Sequence, residues 1–248
     1  MSTIQLINIL LFNAAAWGLF GYFWSFWTYK VYKPYRWLDE SKRKQLPKNI
    51  LQIEKSFKDK NRFYALWYIL KQIEDNSIAG AMAELGVYKG ETAKLIHHMA
   101  PYRDFFLFDS FTGLPRQVVK EDCDGTVRPQ TVDFSDTKPD QVLGHIQGNS
   151  KIKIIEGIFP QTTLEIPDLN YALVHIDADL YQSTKDALLY FYPRLSPGGV
   201  MIIHDYHHDW EGVKKAVDEF DTSVPESFIS LPDLYGSVVL VKNKFHRT

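Results

Sequence analysis

Apolar runs alternate with amphipathic segments along most of this chain. Apolar residues three and four apart over residues 61–73 predict a helix ahead of the first strand. Farther along, short apolar runs predict strands, and segments of helical periodicity predict the helices between them. The predicted strands are Ala81–Val87, Phe105–Asp109, Lys151–Gly157, Tyr171–Asp177 and Val200–Asp205, and the predicted helices are Glu91–Met99, Pro139–Ile146, Thr184–Leu195 and Gly212–Phe220. This alternation predicts an α/β fold in which helices cover both faces of a parallel sheet.

Two stretches depart from the alternation. Ser227–Leu231 and Ser237–Lys242 are separated by turn residues, which predicts an antiparallel hairpin at the end of the fold. Residues 112–135 mix glycines, prolines and charges with little periodicity. Loops of this length in compact domains are usually functional lids or disordered segments.

The first part of the chain has a different character. Residues 2–29 contain no charged side chain, and a run of ~20 apolar residues is enough to cross a bilayer. Aromatic residues near the end of this run and basic residues after it match the flanks of a membrane span: Trp17, Trp24, Trp27, Tyr29, Lys30, Lys33 and Arg36. We expect a single-pass anchor with the main domain on the cytoplasmic side. The alternative is a soluble helix used for packing or oligomerisation, in a cytoplasmic protein.

Composition adds limits to this picture. The length of 248 residues suits one α/β domain with extensions. A net charge of −2 gives no overall attraction to nucleic acid, and a single cysteine excludes an internal disulfide framework. We therefore divide the chain into a hydrophobic N-terminal helix (1–29), a basic linker and helix (30–60), and an α/β domain (61–248) that carries the loop 112–135.

Carboxylates follow the predicted strands at the points where those strands end. Asp177 and Asp179 follow one apolar run, and Asp205 follows the next. An unpaired charge inside a buried strand is costly, so such residues belong at strand ends. In open α/β sheets these ends are where ligands bind. With Glu84 beside Gly86, they predict one active-site rim, although Asp177 and Asp179 could instead cap the following helix.

The segment Glu84-Leu-Gly-Val-Tyr-Lys-Gly90 joins a predicted strand to a predicted helix. A glycine here lets the backbone turn sharply and approach a ligand, and the helix N-terminus offers free N–H groups. The spacing is not that of the dinucleotide fingerprint, so it indicates a nucleotide or nucleoside site in general, or strand–helix packing alone. Asp109 ends the second strand ~20 residues later, where a carboxylate suits ribose hydroxyls or, alternatively, caps a turn.

Several spaced motifs agree with one known family. They are Glu84-Leu-Gly-Val-Tyr-Lys-Gly90, Asp109-Ser-Phe-Thr-Gly-Leu-Pro115, Glu156-Gly-Ile-Phe-Pro-Gln-Thr162, His175-Ile-Asp-Ala-Asp-Leu-Tyr-Gln-Ser-Thr184 and His204-Asp-Tyr206. Over residues 60–242 the chain resembles the macrocin O-methyltransferase family of tylosin, mycinamicin and novobiocin sugar methyltransferases. The resemblance implies a Rossmann-like class I fold dependent on S-adenosylmethionine (SAM), with a mostly parallel sheet, a C-terminal antiparallel hairpin and preceding N-terminal helices. It also implies magnesium-dependent methylation of a sugar hydroxyl.

The same resemblance assigns roles to individual positions. The residues that would line the methionine portion of SAM are Glu84, Leu85, Gly86, Val87 and Tyr88. Asp109 and Ser110 would hold the ribose, and Gly157 would shape the adenine pocket. Asp177 and Asp205 match metal-binding aspartates, Asp179 matches the general base, and the loop 112–135 would be a lid over cofactor and acceptor.

One position departs from the family pattern. The family commonly has two consecutive aspartates where this chain has His204-Asp205. Imidazole is a better ligand for zinc, iron or manganese than for magnesium. Three possibilities stay open: a magnesium site built from Asp177 and Asp205 with waters, a different divalent metal with His204 as a ligand, or loss of metal dependence.

The expected chemistry follows from the weak nucleophilicity of a sugar alcohol. A divalent cation that holds the hydroxyl lowers its pKa, and Asp179 can accept the proton. The acceptor is a glycolipid, a polysaccharide or a glycosylated natural product, and a homo-oligomer is left open.

Two alternatives belong to other classes. One is a metal-dependent hydrolase that uses the cluster from His204 to Asp209, including His207 and His208, and the other is a non-catalytic membrane module with a SAM-binding fold.

Overall fold

A computed structural model of the chain describes residues 2–28, 33–114 and 134–244. Within it the chain forms two compact units, Met1–Arg43 and Lys44–Thr248. The predicted boundary at residue 60 between linker and α/β domain stays a prediction.

The described part of the N-terminal unit contains the helices α1 (Thr3–Thr28) and α2 (Tyr35–Lys42). The described side chains of α1 are exposed, and apolar residues lie all around the helix rather than along one face. Among the described residues, α1 provides a segment, Thr3–Trp24, that is long and apolar enough to cross a membrane. α2 is amphipathic and carries an ion pair one turn apart, between Arg36 and Glu40.

The second unit contains the predicted α/β domain. Its helices are α3 (Lys48–Ser56), α4 (Lys60–Asp75), α5 (Glu91–Met99), α6 (Pro139–Ile146), α7 (Tyr181–Phe191) and α8 (Glu211–Asp221). Its strands are β1 (Ala81–Leu85), β2 (Phe105–Asp109), β3 (Ile152–Glu156), β4 (Tyr171–Ile176), β5 (Leu195–Ile203), β6 (Ile229–Ser230) and β7 (Val238–Val241). Two short 3₁₀ turns lie at Gln161–Glu165 and Tyr192–Arg194.

The seven strands form one sheet in the order β3-β2-β1-β4-β5-β7-β6. Strands β1 to β5 are parallel, whereas β7 runs antiparallel to β5 and β6 antiparallel to β7. The predicted parallel sheet and terminal hairpin are thereby confirmed. The strand order reverses between β1 and β4, and open α/β sheets bind ligands in the crevice at such a switch point.

Register brings three strand ends to the same level. Leu85 of β1 pairs with Ile176 of β4, which in turn pairs with Ile203 of β5. Since side chains of β1 and β4 are buried along their whole length, the strands read as apolar runs. Glu84 and His175 are exceptions, and they are direct partners in the β1–β4 ladder.

The boundary between α7 and β5 differs from the prediction. The helix begins three residues earlier, at Tyr181, and a 3₁₀ turn containing Pro193 ends it. Strand β5 begins at Leu195, ahead of the predicted Val200, and includes a Pro-Gly-Gly segment that resembles a turn. The sheet accommodates this segment through a register shift against β4.

Candidate active site

Three aspartates gather at the carboxyl ends of β4 and β5. Asp177 directly follows β4, Asp179 precedes α7, and Asp205 lies two residues beyond β5. Asp179 and Asp205 adopt left-handed backbone conformations, with φ of 60° and 62°. Such conformations are uncommon outside glycine, although aspartate tolerates them better than most residues. Leu180 occupies the N-cap position of α7, and its side chain makes no capping hydrogen bond within the described residues.

His204 lies between two of these carboxylates. Its Nδ1 is 3.1 Å from Oδ1 of Asp177 and 3.0 Å from Oδ1 of Asp205. Donor atoms of the three residues all lie within 4.8 Å of one another, which is close enough to hold one metal ion. The structure thus brings the predicted ligands together, and their role in metal binding stays a prediction.

The charged residues of this site shift one another's pKa values, some downward and some upward. Burial raises the pKa of Asp177, but the neighbouring His204 and then Arg62 outweigh it and hold the pKa below its usual range. Burial lowers the pKa of His204, but Asp177 and Asp205 raise it to about 10. Burial, followed by Asp177 and Asp205, raises the pKa of Asp179 well above its usual value. Asp179 therefore holds a proton more tightly than an ordinary aspartate.

Arg62 is a member of the site that the sequence reasoning missed. Its Nη2 donates to Oδ2 of Asp177 at 2.9 Å and to Nε2 of His175 at 3.0 Å. Nδ1 of His175 lies 3.1 Å from Oε1 of Glu84. The histidine inside the apolar β4 run was a signal for this network, because a buried polar ring needs partners.

Glu84 and Gly86 occupy the β1 end of the rim. Glu84 is 2% exposed, and its Oε2 has no hydrogen-bond partner among the described residues. Burial and then Asp177 raise its pKa, against the effect of Arg62. Gly86 has φ of +82°, and a Cβ there would lie 1.8 Å from the carbonyl oxygen of Asp177. Only glycine permits this approach of β1 to β4.

Asp109 ties the glycine turn to the end of β2. Its Oδ2 accepts from the backbone N–H groups of Val87 and Tyr88 at 2.8 and 2.9 Å, and its Oδ1 accepts from Phe111 at 2.8 Å. The turn-capping alternative is thus realised in the geometry. The carboxylate retains free lone pairs, so the ribose-binding role stays a prediction beside it.

Ser110 and Gly157 lie next to Asp109. The Ser110 hydroxyl accepts from the N–H of Thr112 at 3.3 Å. Gly157 has φ of +135° and donates its N–H to the carbonyl oxygen of Asp109 at 3.0 Å. The predicted ribose and adenine positions are therefore neighbours.

The predicted lid loop lies mostly outside the described residues, which omit 115–133. Its far end is described and contacts the glycine turn. The Phe134 ring packs edge-on against Tyr88 with centroids 5.1 Å apart, and Lys89 forms a 2.7 Å ion pair with Asp136.

The rest of the histidine cluster points elsewhere. His207 Nε2 pairs with the hydroxyl of Ser230 at 2.8 Å, and the exposed His208 packs against Tyr235. Within the described part of the chain, the group of potential metal ligands includes His204 and Asp205 but not these two histidines. This arrangement does not favour the hydrolase alternative.

The fold is that of class I SAM-dependent methyltransferases. The O-methyltransferase NovP has a similar structure, with a TM-score of 0.60 and 23% identity over 74% of this chain and 80% of that chain. The calicheamicin methyltransferase CalS11 has a TM-score of 0.59 and 22% identity over 72% of this chain and 77% of that chain. These similarities confirm the predicted fold.

The chain belongs to the Macrocin-O-methyltransferase (TylF) family, whose model matches residues 30–227. It is 28% identical over 180 residues to 8-demethyl-8-(2,3-dimethoxy-alpha-L-rhamnosyl)-tetracenomycin-C 4'-O-methyltransferase of Streptomyces olivaceus, covering 63% of this chain and 68% of that protein. It is 27% identical over 164 residues to demethyldecarbamoylnovobiocin O-methyltransferase of Streptomyces niveus, covering 61% of this chain and 62% of that protein. The predicted family and enzyme class, an O-methyltransferase that uses SAM, are confirmed.

Proposed function

We propose that this enzyme transfers a methyl group from SAM to a hydroxyl group of a sugar, with a divalent metal in the site. The convergence of Asp177, His204 and Asp205, with Gly86 against the backbone of Asp177, is the observation that carries the proposal. Support for a sugar acceptor comes from the name of the Streptomyces olivaceus relative, which specifies a rhamnosyl-bearing substrate and 4'-O-methylation.

The β1 end of the rim fits the cofactor. Bound SAM supplies an electrophilic methyl group on a sulfonium sulfur. Oε2 of Glu84 is a buried acceptor without a partner among the described residues, which suits the cationic ammonium group of a methionine moiety. Gly86 leaves room beside the backbone, and Asp109 fixes the turn that would line the same moiety.

The donor set of Asp177, Asp205 and His204 fits a divalent cation. Neighbouring ligands at about 2.1 Å from an octahedral ion are about 3 Å apart, and Nδ1 of His204 lies 3.1 and 3.0 Å from the two carboxylate oxygens. A bound cation lowers the pKa of a coordinated alcohol. Because one of the three donors is a nitrogen, manganese or zinc suits the set better than magnesium. Coordination by Nδ1 would require His204 to release the proton that Asp177 and Asp205 stabilise on it.

Asp179 is the proposed general base. It lies two residues from Asp177, is half-buried, and has a raised pKa. A carboxylate with a raised pKa accepts a proton from an alcohol more readily than an ordinary one. Its side chain would remove the proton from the sugar hydroxyl as the oxygen bonds to the methyl carbon.

A methyl-transfer assay tests this function. The full-length enzyme is incubated with SAM and a panel of rhamnosylated natural products, glycolipids and polysaccharides, with magnesium, manganese, zinc or chelator. We expect one acceptor class to gain a methyl group by mass spectrometry, at a rate that falls when metal is chelated. Hydrolysis of the acceptor without methylation would instead favour the hydrolase alternative.

We also propose that α1 anchors the enzyme in a membrane with its catalytic unit on the cytoplasmic side. The apolar segment has 22 residues, about 33 Å at the rise of an α-helix, against a hydrocarbon core of about 30 Å. Two of its polar side chains have local partners: Asn13 donates to the Ile9 carbonyl at 2.7 Å, and Oε1 of Gln5 accepts from the N–H of Ser2. Such an anchor favours an acceptor presented at the membrane, such as a glycolipid or a nascent polysaccharide.

A further inference from the structure

Arg62 connects the two ends of the site through one nitrogen. Nη2 donates both to Oδ2 of Asp177 and to Nε2 of His175. Its side chain is 15% exposed, so these contacts are largely shielded from water. A charge-assisted hydrogen bond is stronger than a neutral one, and shielding strengthens it further.

The contact with Arg62 also fixes how His175 can act. A guanidinium can only donate, so the accepting Nε2 of His175 carries no proton and the ring proton lies on Nδ1. That nitrogen lies 3.1 Å from Oε1 of Glu84, a close polar contact whose geometry is not that of a hydrogen bond. The chain of contacts therefore runs from Asp177 through Arg62 and His175 to Glu84. His175 and Glu84 are buried, and Arg62 and Asp177 are half-buried.

The start of α4 holds Arg62 in place. Oδ1 of Asp59 caps the helix by accepting from the N–H groups of Asn61 and Arg62, at 2.9 and 3.1 Å. Oδ2 of the same carboxylate accepts from the N–H of Leu234 at 2.6 Å. Five residues after Arg62, α4 buries Trp67 completely. The guanidinium therefore projects from a fixed turn.

We infer that Arg62 is a positioning residue that couples the cofactor end of the site, at Glu84, to the acceptor end, at Asp177. It holds Oδ2 of Asp177, which leaves Oδ1 directed at His204. Through His175 it also places a polar ring nitrogen against Oε1 of Glu84, and Oε2 has no partner among the described residues and is available to SAM. This inference rests on the proposed use of Glu84 in SAM binding.

A double-mutant cycle tests the coupling. SAM affinity is measured by calorimetry for the full-length enzyme and for Arg62→Gln, His175→Gln and the double variant. If the residues act as one chain, each single change weakens SAM binding about 10-fold, and the double change weakens it no more than the stronger single change. Independent effects would multiply to about 100-fold.

The matched control is Arg103→Gln. Arg103 is also shielded and ion-paired, to Glu74 at 2.9 Å, and it donates to the Gly80 carbonyl at the opposite ends of the strands. We expect this variant to lose stability but to bind SAM within about 2-fold of wild type. Should Arg62→Gln fail to fold, Arg62→Lys keeps the charge and serves in its place.

These measurements distinguish a failure of the coupling role of Arg62 from a failure of the proposed function. If the unmodified enzyme binds no SAM, the proposed cofactor site fails. If it binds SAM and the Arg62 variant binds equally well, or if the two effects simply multiply, the coupling role of Arg62 is overturned.

Discussion

Asp179 differs from the other carboxylates of the site in the charges that surround it. The cationic groups Arg62 and His204 both contact Asp177, whereas Asp179 is close to two other carboxylates. The cations therefore stabilise the charge on Asp177 and leave Asp179 as the stronger base. This difference in basicity follows from which carboxylate each cation contacts.

Replacing Asp179 with asparagine should abolish proton acceptance without changing the shape of the site. We expect kcat to fall about 10²- to 10⁴-fold, the usual contribution of a general base, while SAM affinity changes little. Steady-state kinetics and calorimetry provide the two readouts. Asp186→Asn in α7 is the control, and unchanged turnover in Asp179→Asn would contradict the role of Asp179 as general base.

A second prediction concerns His97, which is buried near the end of α5. Its Nε2 accepts from the N–H of Asn149 at 3.3 Å, and burial, followed by His98, lowers its pKa. The folded protein thus binds this proton less readily than the unfolded chain. The free energy of unfolding is therefore undiminished above a pH of about 6.5, the pKa of a histidine in the unfolded chain. It decreases as the pH falls below that value.

The change His97→Gln should reduce this loss of stability in acid. Urea midpoints at about pH 5 and about pH 7.5 would differ less in the variant than in wild type. His208→Gln, which alters an exposed ring, is the control. If the two urea midpoints differed as much in His97→Gln as in wild type, His97 would not contribute to the loss of stability in acid.

At the scale of elements, the site depends on how closely β1 and β4 approach. The paired ends of β1, β4 and β5 place Gly86 against the backbone of Asp177. Glu84 and His175 face each other one pair earlier in the same ladder. The geometry of the rim is therefore a property of the strand register.

Gly86→Ala tests this dependence. The new Cβ would lie 1.8 Å from the Asp177 carbonyl oxygen, in a backbone conformation that alanine rarely adopts. We expect a loss of about 2–4 kcal/mol in unfolding free energy and a loss of SAM binding. Gly144→Ala in α6 is the control, since its Cβ meets nothing within 4 Å, and it should stabilise by about 0.5–1 kcal/mol. Equal stability of the two variants would contradict this account.

The sequence predicted those elements whose side chains carry a clear period. β2, α5 and α6 have the predicted bounds, because each is a short, regular run between turn residues. The α7–β5 boundary was misplaced, since a Pro-Gly-Gly segment looks like a turn yet pairs in the sheet. Arg62 was missed because its role depends on how α4 packs over the strand ends, which periodicity does not reveal.

At the scale of the whole molecule, the chain joins a uniformly apolar helix to a catalytic unit. The family match at residues 30–227 begins after α1. Burying the apolar surface of α1 in lipid removes it from water, which is favourable in proportion to the area buried. A membrane anchor accounts for the apolar side chains on every face of α1, because lipid surrounds a membrane-spanning helix on all sides.

Alkaline carbonate extraction of cell membranes tests the anchor. We expect the full-length protein to stay in the membrane fraction, and the double variant Leu11→Arg/Ala15→Arg to be released, since each arginine at the centre of a span costs about 3 kcal/mol. The apolar double variant Leu11→Val/Ala15→Leu should stay with the membrane. Release of the unmodified protein would favour a soluble helix.

The most direct test of the account is calorimetric titration of SAM into the full-length enzyme, with and without a divalent metal, alongside Asp109→Asn. Asp109 accepts three backbone N–H groups, and the variant loses its charge and one acceptor oxygen. We predict a dissociation constant on the order of micromolar for the enzyme, weakened at least ~10-fold in the variant. Absence of binding under both conditions would contradict the assignment of the strand-end rim as the cofactor site.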